Sequence, residues 1–296
     1  MKVCGVSFGK NVVKYDYPIK EAITSILPIC DEFVVAVGES EDSSLDLINS
    51  IASDKLKIIE TRWNENLREG GEVLADETNK ALKKVPKDCD WIFYIQGDEV
   101  VHEKYLSVVK NAMEEHLNNP NVDGLLFKYK HFYGGYNYIG NSYRWYSNEI
   151  RVIRNRPDIY SYKDAQGFRK GDNQKLNVIP IDAYIYHYGW VKDPITQQEK
   201  QKTFQGLWHD EKTIEKHVDK SENEFDYSEI DSLLEFKESH PKVMIPRVKN
   251  QDWKFEFDTT KIKISFKNKI KRTIEKLLGF QLGEYKNYTI YETKHP

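Results

Sequence analysis

The stretch that most constrains the fold of this chain is Asp90-Trp91-Ile92-Phe93-Tyr94-Ile95-Gln96-Gly97-Asp98-Glu99-Val100. Trp91 to Ile95 is a short apolar run, rich in aromatic and β-branched residues, and reads as a buried strand. It stops abruptly at Gln96, Gly97, Asp98 and Glu99. Apolar chain running straight into a glycine and two carboxylates predicts a strand end that opens into a cleft. In open α/β sheets that is where ligands bind. A carboxylate placed there can hold Mg²⁺ or Mn²⁺, and through the cation a diphosphate. The plainer alternative is that Asp98 caps a helix running from Val100 through Met113.

The flanking segments repeat the same alternation. Val3 to Phe8 reads as a strand, Gly9-Lys10-Asn11 as a loop, and Lys20 to Leu27 as a helix stopped near Pro28. Glu32 to Val37 is apolar throughout after Glu32, as expected of a strand buried on both faces. A polar turn follows, then a short helix from Leu45 to Ala52, a strand from Lys57 to Glu60 and a helix from Glu72 to Lys84. Strands and helices alternating at this spacing predict a parallel sheet with helices on both faces. After Pro120 the character changes. Gly124 to Tyr129 reads as a strand, and an aromatic stretch from His131 to Tyr146 reads as a hairpin or loop-rich insert. Glu149 to Arg154 and Asp182 to Tyr188 are further strands, with the polar island Asp164-Ala165-Gln166-Gly167-Phe168-Arg169 between them. Residues 195 to 218 are mostly helical in pattern.

In order and content these segments resemble glycosyltransferase family 2, enzymes with the GT-A nucleotide-sugar-binding fold. Gln96-Gly97-Asp98 resembles the family's Asp-X-Asp strand end, with Gln96 where the first Asp usually stands. The run Val34 to Ser44 is similar to the segment in which a strand ends in a Gly-Ser-x-Asp loop. Asp42 matches the Asp that contacts base or ribose there, and a helix N-cap is its alternative role. Gly70-Gly71, followed by a helix containing Asn79, resembles the family's Gly-rich loop and third helix.

The resemblance implies an α/β GT-A core, Rossmann-like, with a mostly parallel mixed central sheet and helices on both faces, over residues 1–195. Residues 1–119 would form the nucleotide-binding half and 120–195 the acceptor half, with a mainly helical region over 196–296. It implies a nucleotide-sugar site built from Asp42, Glu39, Gly71, Asn79, Gln96, Gly97 and Asp98. It implies Mn²⁺ or Mg²⁺ held by Asp98 and His187, the histidine closing a strand before Tyr188-Gly189-Trp190. The catalytic base would be Asp164, with Glu149 the second candidate by position. Gln166, Arg169, Trp145 and Trp190 would contact the acceptor. The implied activity is metal-dependent, inverting transfer of a sugar from a nucleoside-diphosphate sugar to a glycan or a lipid-linked acceptor.

Two other readings remain open. One is a non-catalytic carbohydrate-binding protein using the aromatic stretch from His131 to Tyr146. The other is a nucleotidyltransferase on a related sheet, for which Ser7-Phe8-Gly9-Lys10-Asn11 is poor in glycine. No Walker pattern and no Gly-x-Gly-x-x-Gly occurs, which argues against a P-loop or a dinucleotide enzyme.

Composition narrows the rest. The 19 Tyr, 13 Phe and 6 Trp suit stacking on a sugar or base, or simply an aromatic-rich core. A net charge of -3 gives no general reason to expect nucleic-acid binding. Cys4, Cys30 and Cys89 have neither a disulfide framework nor a zinc spacing, so buried free thiols are expected. No apolar run approaches the roughly 20 residues needed to span a bilayer, and the first residues lack the apolar run and cleavage site of a signal peptide. A cytoplasmic location is therefore expected. Residues 261–276 carry seven Lys/Arg and one acid. Their spacing predicts a basic amphipathic helix over 267–278, stopped at Gly279, either docked on the body or in peripheral contact with a membrane.

Overall fold

The computed structural model describes residues 1–64, 66–67, 69–205, 223–260, 263, 271 and 286–292. Its first half holds strands β1 (Val3–Gly9), β2 (Glu32–Gly38), β3 (Leu56–Thr61) and β4 (Trp91–Tyr94). Between them lie α1 (Ile19–Ile26), α2 (Ser44–Asn49) and α3 (Glu72–Leu82). β1 lies between β2 and β4, and β3 flanks β2, all parallel. Side chains alternate across the sheet. Phe33, Val35 and Val37 pack with Ile19, Ala22 and Ile23 of α1, while Val34 and Ala36 pack with Val73, Leu74 and Ala81 of α3. A strand covered on both faces must be apolar at every position, which is why β2 reads as a continuous run.

The second half adds β5 (Glu99–Val101), α4 (Leu106–Glu115), β6 (Gly124–Tyr133), β7 (Gly135–Gly140) and β8 (Asn148–Arg154). Next come β9 (Ile159–Tyr162), β10 (Gly167–Lys170), β11 (Gln174–Lys175), β12 (Asn177–Trp190) and α5 (Pro194–Gln205). Last are β13 (Leu233–Glu235), α6 (Ile245–Lys249) and β14 (Thr289–Ile290). The main sheet runs β13-β7-β6-β8-β4-β1-β2-β3, and β12 pairs with β6, β5 and β14. β8 is antiparallel to both β4 and β6, and β12 is parallel to β6. β1, β2, β4, β6 and β12 therefore all end at one edge. This is the mixed, mostly parallel central sheet with helices that the sequence predicts. A separate antiparallel sheet, β9 to β11, carries the turn that contains Asp164.

Three elements differ from the sequence reading. No helix starts at Val100. Glu99 to Val101 instead pair antiparallel with Ile185 to His187, and α4 begins only at Leu106. The two buried β-branched residues Val100 and Val101 gain a partner strand that no local pattern reveals. The strand expected over Asp182 to Tyr188 is the second half of the 14-residue β12. The aromatic stretch begins as the β6–β7 hairpin, which turns at Gly134 with φ of 70°. A Cβ there would lie 2.5 Å from the Phe255 ring.

Among the described residues of 196–296, β13 pairs with β7 and β14 with β12, so both extend the main sheet. The expected helix over 267–278 lies outside the described residues, apart from Lys271. Cys4, Cys30 and Cys89 are buried and free. Among the described residues, no helix is long and apolar enough to cross a membrane.

Candidate active site

A cleft of about 850 Å³ opens at the edge where the parallel strands end. Gly9 ends β1 and Asn11 follows it, Trp63 follows β3, and Gln96 to Asp98 follow β4. His131 comes from β6, His187 and Gly189 from β12, Lys200 from α5, and Asp164 from the β9–β10 turn. Residues 89 positions apart thus meet. The His187 Nε2 lies 3.7 Å from Asp98 Oδ2, and the Tyr188 N–H donates to the Asp98 carbonyl at 2.8 Å.

Gly189 makes that approach possible. A Cβ at this position would lie 2.6 Å from Asp98 Oδ2 and 2.8 Å from the His187 ring. Gly189→Ala is expected to lower stability by about 1–3 kcal/mol through overpacking. Urea unfolding checks this, and an unchanged midpoint would contradict the tight fit.

The imidazole of His187 is held by a second histidine. Its Nδ1 lies 3.1 Å from His131 Nδ1, and His131 Nε2 lies 2.8 Å from the Tyr146 carbonyl. A carbonyl only accepts, so His131 Nε2 donates. Burial, with the His187 charge beside it, pushes the His131 ring well below the usual histidine range and keeps it neutral. Its Nδ1 then accepts from His187 Nδ1–H, which leaves His187 Nε2 facing Asp98, as an N–H donor to the carboxylate when the ring is charged and as a lone pair when it is neutral.

Asp98 sits among positive groups. Lys200 Nζ is 3.7 Å from Oδ2 and donates to the Gly189 carbonyl at 2.8 Å. Burial raises the Asp98 carboxyl, but His187, Lys200 and Lys192 outweigh burial and hold it below its ordinary value. The Lys192 and Lys200 ammonium groups both lie over the Tyr17 ring, at 4.6 and 4.7 Å. Burial, ahead of the neighbouring Lys200 charge, pushes Lys192 down to about 7.

The donor chemistry of this centre suits Mn²⁺ or Mg²⁺ in part. One carboxylate oxygen and one imidazole lone pair are acceptable ligands for either ion. Among the described residues, no group of three or more His, Cys, Asp or Glu could hold a metal. Asp98 and His187 alone would leave most positions on such an ion to ligands from elsewhere. Glu99 is committed elsewhere. It is fully buried, receives Arg151 Nε and Nη2 at 2.7 Å each, and accepts from the Tyr129 hydroxyl at 2.7 Å.

Gln96 does what an Asp in its place could not. Its Nε2 donates to the Ala165 carbonyl at 3.1 Å and to the Tyr94 hydroxyl at 3.2 Å. The β4 end is thereby strapped to the turn bearing Asp164. Arg151 holds the same turn by donating to the Gln166 carbonyl at 2.8 Å. The turn is strained: Lys163 and Ala165, on either side of Asp164, have φ of 53° and 60°. Non-glycine residues occupy that region only where the surroundings fix them. Burial pushes the Asp164 carboxyl above its usual value, in the direction that suits a base.

Of the other residues singled out by sequence, Gln166, Trp145 and Trp190 also line the cleft. The Trp145 ring stacks on His131 with centroids 5.0 Å apart and meets Trp190 edge-on at 6.3 Å. Six lie outside the lining. Asp42 accepts from the Lys14 and Ser44 N–H groups at 2.6 and 2.9 Å and so ties two loops together. Glu39 is exposed and paired with Arg62 at 3.4 Å. Gly71, with φ of 75°, precedes the first turn of α3. Asn79 clamps α3 to β9 through both backbone groups of Ser161. Arg169 is buried and donates to the Asn287 carbonyl at 3.0 Å.

Glu149 is buried outside the cleft lining. Burial pushes its carboxyl up to about 8, and its Oε2 has no hydrogen-bond partner among the described residues. The unfolded chain loses this proton near 4.5, the folded chain only near 8. The folded state therefore has its full advantage below pH 4.5 and loses it as pH rises to 8, by about 1.4 kcal/mol per pH unit. Glu149→Gln is expected to remove that slope, measured as unfolding free energy against pH. An identical slope in both proteins would contradict the assignment.

Sequence reading assigned no role to Lys200 or Tyr17, and took His131 only as the start of an aromatic stretch. His131 reaches the site because it is in register with His187 across β6 and β12, a pairing invisible in sequence.

No family model matches the chain, and no curated protein does. Among solved structures it is similar to S. aureus TarS, at 18% identity and a TM-score of 0.42, over 69% of this chain and 39% of that one. TarS 1-349 in complex with UDP-GlcNAc gives 18% and 0.42, over 70% of this chain and 66% of that one. Glucosyl-3-phosphoglycerate synthase from Mycobacterium tuberculosis, in complex with Mn²⁺, UDP and glucosyl-3-phosphoglycerate, gives 18% and 0.30, over 45% of each chain.

Proposed function

We propose that the chain is a glycosyltransferase that moves a sugar from a nucleoside-diphosphate sugar to a hydroxyl of a glycan or lipid-linked acceptor, with inversion. The observation that carries this reading is the convergence of Asp98, His187 and Lys200 with the Asp164 turn on one cleft at the strand ends. A divalent cation on Asp98 and His187 would neutralise the diphosphate as it departs.

The protein's own groups account for the rest. The loops after β1 and β3 offer Asn11, Lys14 and Trp63 to the nucleoside. Trp145, Trp190 and Gln166 offer two aromatic faces and an amide to the acceptor sugar. The acceptor oxygen attacks the anomeric carbon from the face opposite the diphosphate. The bond from that carbon to the phosphate oxygen breaks with its electron pair passing to the diphosphate, and Asp164 takes the acceptor's proton. Gln96 and Arg151 hold the base turn, so the donor and acceptor sides share one rigid support.

Incubation with UDP-, GDP- and dTDP-sugars, with Mn²⁺ and a set of glycan acceptors, tests the reading. Release of a nucleoside diphosphate from at least one donor is expected. Glycan binding with no donor consumed would favour the carbohydrate-binding alternative. Pyrophosphate release from a nucleoside triphosphate and a sugar phosphate would favour the nucleotidyltransferase. The basic run at 261–276 suits weak contact with anionic lipid, roughly 1 kcal/mol per basic residue near the surface, and fits a lipid-linked acceptor.

A further inference from the structure

We infer that Lys200 is a diphosphate-binding residue of this cleft, contacting the β-phosphate and neutralising the charge that builds on it as the sugar leaves. The inference rests on the glycosyl-transfer reading and deepens it. The β4 strand end resembles a two-carboxylate motif in which Gln96 replaces one carboxylate and gives its amide to the Tyr94 hydroxyl and the Ala165 carbonyl. Asp98 is then the sole carboxylate of that strand end facing the cleft, since Glu99 is closed in by Arg151 and Tyr129.

Lys200 supplies positive charge at that point. It projects from α5 into the cleft, and its Nζ stands 3.7 Å from the carboxylate that would face the diphosphate. The Gly189 carbonyl and the Tyr17 face hold it there. An ammonium has three donors; one goes to the Gly189 carbonyl, and a phosphate oxygen beside Asp98 would take another in exchange for a present contact. Lys192 cannot take this part: it is fully buried, donates to the Asp16 carbonyl at 2.7 Å, and does not line the cleft.

A helix outside the parallel sheet thus provides a cation to the donor site. This assigns a use to α5, which lies beyond the segment that carries the family resemblance. In the group-transfer step Lys200 forms no covalent bond. It lowers the energy of the oxygen that receives the electron pair.

The test is equilibrium titration of the full chain with UDP, GDP and dTDP, and with the matching monophosphates, for wild type, Lys200→Met and Lys200→Arg. A charge-assisted hydrogen bond to the β-phosphate predicts that Lys200→Met weakens the tightest-binding diphosphate by about 10- to 100-fold. Monophosphate affinity should stay within about threefold of wild type, and Lys200→Arg should recover most of the loss. Equal loss for mono- and diphosphate would mean that Lys200 supports the cleft generally, and would overturn the proposal. Wild-type affinity in Lys200→Met would overturn it too, leaving the glycosyl-transfer reading intact. If wild type binds none of the three diphosphates with Mn²⁺ present, the proposal and that reading fall together.

Discussion

Asp164→Asn is expected to slow sugar transfer by about 10²- to 10⁴-fold, the usual contribution of a general base, with little change in nucleotide affinity. The asparagine keeps the size of the side chain and the turn geometry but cannot take a proton. The strained turn makes the loss specific. Lys163 and Ala165, both at positive φ, flank residue 164, and burial holds the neighbouring Glu149 carboxyl outside the cleft lining. Single-turnover transfer rates beside nucleotide titration check the expectation. Near-normal turnover in Asp164→Asn, with Glu149→Gln inactive, would move the base to Glu149. That outcome would require the buried Glu149 carboxyl to become accessible.

Arg151→Met is expected to cost about 3–5 kcal/mol of stability, since it leaves the fully buried Glu99 carboxylate without its countercharge. Arg151 and Glu99 are both 0% exposed and joined by two 2.7 Å bonds. The double variant Arg151→Met/Glu99→Leu should recover a large part of the loss, because replacing both partners removes the stranded charge. Urea unfolding of the two variants measures this. A double variant no more stable than the single one would place the energy in the Arg151 bonds to the Ile150 and Gln166 carbonyls instead. Those bonds also link stability to function, since the Gln166 carbonyl belongs to the Asp164 turn.

The Trp91 to Ile95 run and the β2 run were legible in sequence because both faces of those strands are covered, and burial on both faces leaves no polar position. The meeting of Asp98 and His187 was legible for a related reason: Asp98 follows one apolar strand and His187 lies near the end of another. What the sequence hid depends on pairing. The β5–β12 ladder recruits Val100 and Val101 from what reads locally as the start of a helix. His131 acquires its place through register with His187. Gln96 reads as a weakened motif residue, and only its bond to Ala165 gives it a purpose. Asp42 and Asn79, read as nucleotide-sugar contacts, spend their side chains on loop and helix contacts.

The most direct test of the account is a crystal structure of the chain with UDP, or with whichever of GDP and dTDP binds more tightly, and Mn²⁺. The account predicts the nucleoside between the loops after β1 and β3, and the diphosphate between Asp98, His187 and Lys200. A nucleotide bound elsewhere on the protein, with the Asp98 cleft empty, would contradict it.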